Sequence, residues 1–275
     1  MSRTMIGLLA LGAASGLAMG QAAFTLTSGD SSFGISLASS LGAPGGNANR
    51  TGAGGGAGAN FTVDGSATDH LFQNWWWYRV GGGNREFAFS NFTGQSSGAA
   101  NNQTLTYNEV DGVGASLTYV LQDQGVGAIL EQRMVITNMS TAGPLTIDLF
   151  NYADFDVSGS AGGDSGVMMG ADRMRITDGA NFAEFQGVGA NAWQATAFAT
   201  LRGLLTNGVV DNLNNTGMPF GPGDWTGAFQ WSSITLAPGQ SFTAIERLSV
   251  NVAVPTPGAA ALLGVAGLFG ARRRR

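Results

Sequence analysis

The sequence contains no cysteine, no lysine and a single histidine, His70. Without cysteine there is no disulfide framework, no thiolate nucleophile and no Cys-based metal site. Without lysine there is no P-loop, no Schiff-base chemistry and no kinase-type phosphate clamp. Charge of either sign is also scarce, at 11% of 275 residues. Glycine is abundant instead, with 44 residues, alongside many Thr, Ser, Asn, Val and Phe. This is the composition of short strands joined by tight turns.

The two ends differ from the rest. At the start, Arg3 supplies a positive region, Met5 to Leu17 an apolar run, and Ala18-Met19-Gly20 a small-x-small cleavage site. That order predicts a secretory signal peptide over residues 1–20, served by Sec-type export machinery and signal peptidase. At the other end, Val254, Pro255, Thr256 and Pro257 precede an apolar run from Gly258 to Ala271, and then come Arg272, Arg273, Arg274 and Arg275. The prolines hold an extended stretch suited to a protease or transpeptidase groove. The apolar run predicts a short transmembrane helix, with the arginines kept cytoplasmic by the positive-inside rule. Over residues 254–275 this order resembles the PEP-CTERM sorting signal of Gram-negative bacteria, with Thr256 where that family usually has Glu. The resemblance implies an exosortase-like processing enzyme as a partner. It also implies a transient stay in the inner membrane before the chain reaches the cell surface or the extracellular space.

Subtracting the five arginines of those ends leaves 8 arginines against 18 carboxylates. So acidic a segment repels phosphate backbones, which excludes nucleic acid as a partner. Residues 21–253 are long enough to bury a core unaided.

Period-two patterning predicts an all-β fold, an antiparallel β-sandwich. In the stretch Leu130 to Asn138, Leu130, Met134 and Ile136 face one way while Glu131, Arg133 and Thr137 face the other. Leu71 to Val80, Ser116 to Gln122 and Leu145 to Tyr152 are further strands. Ala228 to Leu236 and the alternating run from Phe242 to Val252 flank the turn residues Ala237-Pro238-Gly239 and read as a hairpin. Phe198, Leu201, Leu205 and Val209 carry helical spacing, for one short helix beside the sheets. Residues 42–60 are dominated by Gly, Ala and Asn and read as a loop.

Four features could carry chemistry. Trp75, Trp76, Trp77 and Tyr78 form the densest aromatic run. In a strand one pair fills the core, and the other pair, if exposed, could stack on the rings of a polysaccharide. Asp154, Asp156 and Ser158 alternate ahead of Gly159 like the start of a calcium loop, and Asp164 could complete the oxygen shell. The competing reading is an ordinary acidic turn. Gly163-Asp164-Ser165-Gly166 and Gly94-Gln95-Ser96-Ser97-Gly98 match serine-hydrolase motifs in letters only, with one histidine to serve both. Glu246 falls on the apolar face of its strand, where a partner such as Arg133 or a raised pKa is expected.

No catalytic set and no obligatory cofactor emerges. The expected role is a non-catalytic structural or adhesive component of the cell surface or extracellular matrix. A carbohydrate-binding module is the first alternative and a glycoside hydrolase-like enzyme the second.

Overall fold

The computed structural model describes residues 24–36, 58–90, 92–109 and 111–253. The signal peptide, the sorting signal and most of the 42–60 stretch lie outside the described residues. No helix among the described residues is long and apolar enough to cross a membrane.

The strands in chain order are β1 (Phe24–Ser28), β2 (Ser31–Ser36), β3 (Gly58–Thr62), β4 (Leu71–Val80), β5 (Phe87–Ala88), β6 (Phe92–Ala99), β7 (Asn102–Asn108), β8 (Val113–Asp123), β9 (Gly127–Asn138) and β10 (Leu145–Phe155). They continue with β11 (Asp164–Met168), β12 (Arg173–Asp178), β13 (Asn181–Val188), β14 (Ala192–Ala197), β15 (Phe220–Gly223), β16 (Trp225–Leu236) and β17 (Ser241–Asn251). One α-helix, α1 (Thr200–Thr206), follows β14. Two antiparallel sheets result. The first runs β1-β2-β3-β4-β10-β16-β14 with β5 beside β4, and the second runs β15-β11-β12-β13-β17-β9-β8-β7-β6. The expected antiparallel β-sandwich is the observed architecture.

The alternation read in Leu130 to Asn138 is the alternation of β9, in which Leu130, Met134 and Ile136 are fully buried. Between the sheets, Trp76 of β4 stacks on Trp231 of β16 at 5.5 Å, and Phe185 of β13 meets Phe229 of β16 at 4.8 Å. A polar knot sits in the same layer. Trp76 Nε1 donates to Gln132 Oε1 at 2.7 Å, and Gln132 Nε2 donates to Asn74 Oδ1 at 2.6 Å. Helix α1 buries Leu201 and Leu205, as the helical spacing predicts, while Val209 lies beyond it and is exposed.

Two expectations fail. The predicted C-terminal hairpin does not form: β16 pairs with β10 and β14, whereas β17 pairs with β13 and β9 in the other sheet. The turn between them is tied to β9 instead, with Gly239 N–H donating to Asn138 O and Asn138 N–H donating to Gln240 O. Amphipathic strands on either side of a turn satisfy the same pattern whether they pair or cross from sheet to sheet, so periodicity cannot distinguish the two. The predicted loop over 42–60 also ends too late, because Gly58, Ala59 and Asn60 belong to β3, and Gly58 and Ala59 are buried.

Candidate functional site

The site lies on the face of the first sheet turned away from the second. Directly opposed residues of antiparallel strands share a face. Register therefore groups Gln73 of β4 with Asp154 of β10 and Thr226 of β16, and next to them Trp75 with Tyr152 and Ala228. Trp77 belongs to the same face, its ring meeting that of Tyr152 at 6.0 Å.

Much of this face is under cover. Arg79 reaches up from it, with Nη1 donating to Glu86 Oε1 at 2.6 Å and to Asp211 O at 2.8 Å, and Nη2 donating to Asn212 Oδ1 at 2.6 Å and to Asp148. Leu213 N–H donates to Gln230 Oε1 at 2.9 Å. The segment 211–213 is thus fastened down by polar side chains, and α1 lies alongside.

Burial forces a correction. Trp75, Trp76, Trp77 and Tyr78 are all 0% exposed, so none of them can stack on a polysaccharide from solvent. Trp76 packs against Trp231 between the sheets, Trp75 meets Tyr107 of β7 at 6.4 Å and donates from Nε1 to Phe89 O at 3.1 Å, and Trp77 meets Tyr152 at 6.0 Å. An unbroken apolar run in place of strict alternation is the mark of a strand buried on both faces, and it was the available signal.

The exposed aromatics are elsewhere. At the start of β4 the ladder to β10 slips: Gln73 pairs with Asp154 but Leu71 pairs with Phe155, which leaves Phe72 as the extra residue. Such a bulge re-aims a side chain, and bulges are frequent beside functional sites. Phe72 is 43% exposed between two fully buried neighbours, and its ring meets Phe198 edge-on at 6.0 Å. Phe198 N–H donates to Asp224 O at 2.9 Å, which ties the second aromatic to an acidic residue. Phe72, Phe198, Asp156, Asp224 and Ala161 line a cleft of about 210 Å3.

The floor of the cleft is acidic. Asp154, Asp156 and Asp224 each offer a carboxylate oxygen, and these oxygens lie within 4.8 Å of one another. Burial first, then the charges of Asp156 and Asp224, pushes Asp154 up to about 8. Burial first, then the charges of Asp224 and Asp69, pushes Asp156 up to about 6. Asp164, fully buried on β11, is raised to about 8 by burial and then by Asp156 and Asp178. Arg202 of α1 is the cation that acts on Asp154 and Tyr152.

Of the predicted calcium residues, the structure brings Asp154 and Asp156 together and places Asp164 near enough to feel Asp156. Ser158 does not join them. Its hydroxyl donates to Asp178 O at 3.4 Å and accepts from Asn181 Nδ2 at 2.9 Å, and its N–H donates to His70 Nδ1 at 3.1 Å. Asp224 takes its place, a residue far along the chain that no local spacing could reveal. His70 is a buried acceptor for a turn, its pKa lowered by burial, and its Nε2 meets no serine hydroxyl among the described residues. Glu246 is fully buried with both oxygens unpaired, and the expected Arg133 stands opposite Ile245 instead.

No protein-family model and no curated protein matches the sequence. Solved structures do match in fold. A putative aldose 1-epimerase from Escherichia coli K12 aligns over 84% of this chain and 99% of its own, with a TM-score of 0.52 and 12% identity. A GalM/aldose epimerase homologue from C. elegans covers the same shares with a TM-score of 0.50 and 9% identity. The chain shares the fold of these two proteins. That finding overturns the expectation of a non-catalytic structural or adhesive component, which rested on composition and the absence of a motif.

Proposed function

We propose that this chain is a carbohydrate-binding protein that takes a sugar ring in the cleft that Phe72 and Phe198 line together. The observation that carries the reading is the bulge that lifts Phe72 out of a buried strand to meet Phe198 in a cleft that two carboxylates also line. Aromatic faces receive the apolar side of a pyranose, and Asp156 and Asp224 accept hydrogen bonds from its hydroxyls. The volume is below the roughly 300–1,000 Å3 of sites for drug-sized ligands, which suits a single ring or a chain end. The likeness in fold to proteins named as aldose epimerases supports the same substrate class. The terminal sequences support export and sorting through a PEP-CTERM-like signal, which would present the cleft to polysaccharide outside the cytoplasm.

A second reading, epimerisation of an aldose, is favoured by one pair of groups. Asp154, held up near 8, carries a proton at neutral pH, while Asp156 nearby has largely lost its own. Titration calorimetry against a panel of monosaccharides and polysaccharides tests the first reading, and polarimetry of fresh aldose solutions tests the second. Failure of every sugar to bind sinks both.

A further inference from the structure

Three carboxylates with oxygens inside 4.8 Å of one another pose a charge problem. Ligands at a calcium–oxygen distance of about 2.3–2.6 Å lie at most about 5 Å apart across the ion. The cluster therefore has the dimensions of one shared cation. Acidic clusters are common without one, so an independent feature has to decide. Gln73 supplies it. This side chain is 0% exposed, stands directly across from Asp154 on the same face, and has no hydrogen-bond partner for either its amide nitrogen or its amide oxygen. A buried carboxamide left unpaired is costly, and an amide oxygen is an ordinary calcium ligand. Asp154 is similarly incomplete: one oxygen accepts the Tyr152 hydroxyl at 3.4 Å, while Oδ1 is buried and unpaired.

We propose that Asp154, Asp156 and Asp224, with the side-chain oxygen of Gln73, hold a divalent cation of calcium's class at the floor of the cleft. The ligand set is all oxygen, mixing carboxylate and amide, which disfavours zinc. Four protein ligands on one ion suit calcium's flexible shell better than magnesium, which keeps more of its water. Arg202 is one guanidinium beside three carboxyl groups, and its Nη1 is itself unpaired. The open side of the ion faces the cleft, where neighbouring hydroxyls of a sugar would complete the shell; this last step rests on the carbohydrate reading above.

The test uses the full chain, stripped with chelator and titrated with calcium chloride by calorimetry, with melting followed in parallel. The expected result is one ion per chain and a melting temperature raised by several degrees at saturation. Asp224→Asn and Gln73→Leu should each weaken calcium at least about tenfold, a loss of some 1.4 kcal/mol. Asp224 lies at the cleft edge, so its variant is the one to trust if Gln73→Leu folds poorly. Absence of heat and of any melting shift at millimolar calcium overturns the proposal, as does unchanged affinity in Asp224→Asn. An equal response to magnesium overturns the assignment to calcium. Sugar binding that persists in chelator overturns the bridging role and leaves the carbohydrate reading standing. Calcium binding without any sugar binding supports the ion site and overturns the carbohydrate reading.

Discussion

Trp76 on one sheet and Gln132 on the other are joined by a buried hydrogen bond of 2.7 Å across the middle of the sandwich. Gln132 passes the connection on to Asn74, so one carboxamide satisfies two buried groups of the facing sheet. Gln132→Leu keeps the volume and strands both partners. The expected cost is about 1–3 kcal/mol in urea unfolding, since an unmet buried polar group loses its hydration without replacement. A neutral result would show that water or a side-chain shift repairs the gap.

Arg79 is 3% exposed and its salt-bridge partner Glu86 is 0% exposed. Arg79→Met therefore leaves a buried carboxylate uncompensated and releases the carbonyl of Asp211. Stability should fall by about 3–5 kcal/mol, and Arg79→Met with Glu86→Gln should recover part of it. Hydrogen exchange should quicken in the segment 211–213 of the single variant. Unaltered exchange there would mean that something other than Arg79 holds the cover down.

Glu246 gives a dependence on pH. Burial raises its pKa well above the ordinary 4.5. A folded-state pKa above the unfolded one means that the native chain binds the extra proton, so stability declines as pH rises past the unfolded value. Glu246→Gln removes that decline. It should melt like the parent at about pH 4 and above it at about pH 8. A gap between the two proteins that does not change with pH would show that Glu246 titrates alike in both states.

Phe72 separates binding from stability. Half-exposed on its bulge, it can be shortened to alanine at a cost within about 1 kcal/mol. Loss of one face of the aromatic pair should weaken sugar affinity about tenfold. Undiminished affinity in Phe72→Ala would place the ring outside the binding surface.

The strands were legible wherever the buried and exposed faces alternate, as in β9 and β8, while β4 was legible as an unbroken aromatic run. Glycine hid others. β3 and β11 carry Gly58 and Gly166 where a patterned side chain would be, so their periodicity is faint. The site was legible in part. Asp154 and Asp156 drew notice as neighbours in sequence, but Asp224 and Gln73 reach them through strand pairing and the bulge, which leave no trace in local spacing. Nor was the cover visible. The segment 211–213 is Asp-Asn-Leu, held to Arg79, Glu86 and Gln230 by hydrogen bonds rather than by an apolar stripe, and so it carries no periodic signal.

The crossing from β16 to β17 places the final described strand between β13 and β9, at the middle of the nine-stranded sheet. Strands β6 to β9 on one side and β11 to β13 with β15 on the other have no direct ladder between them. Without β17 each block has an unpaired inner edge, and the ladders that join them span a long stretch of chain. A chain trimmed before Ser241 would present two unpaired edges and be prone to aggregation.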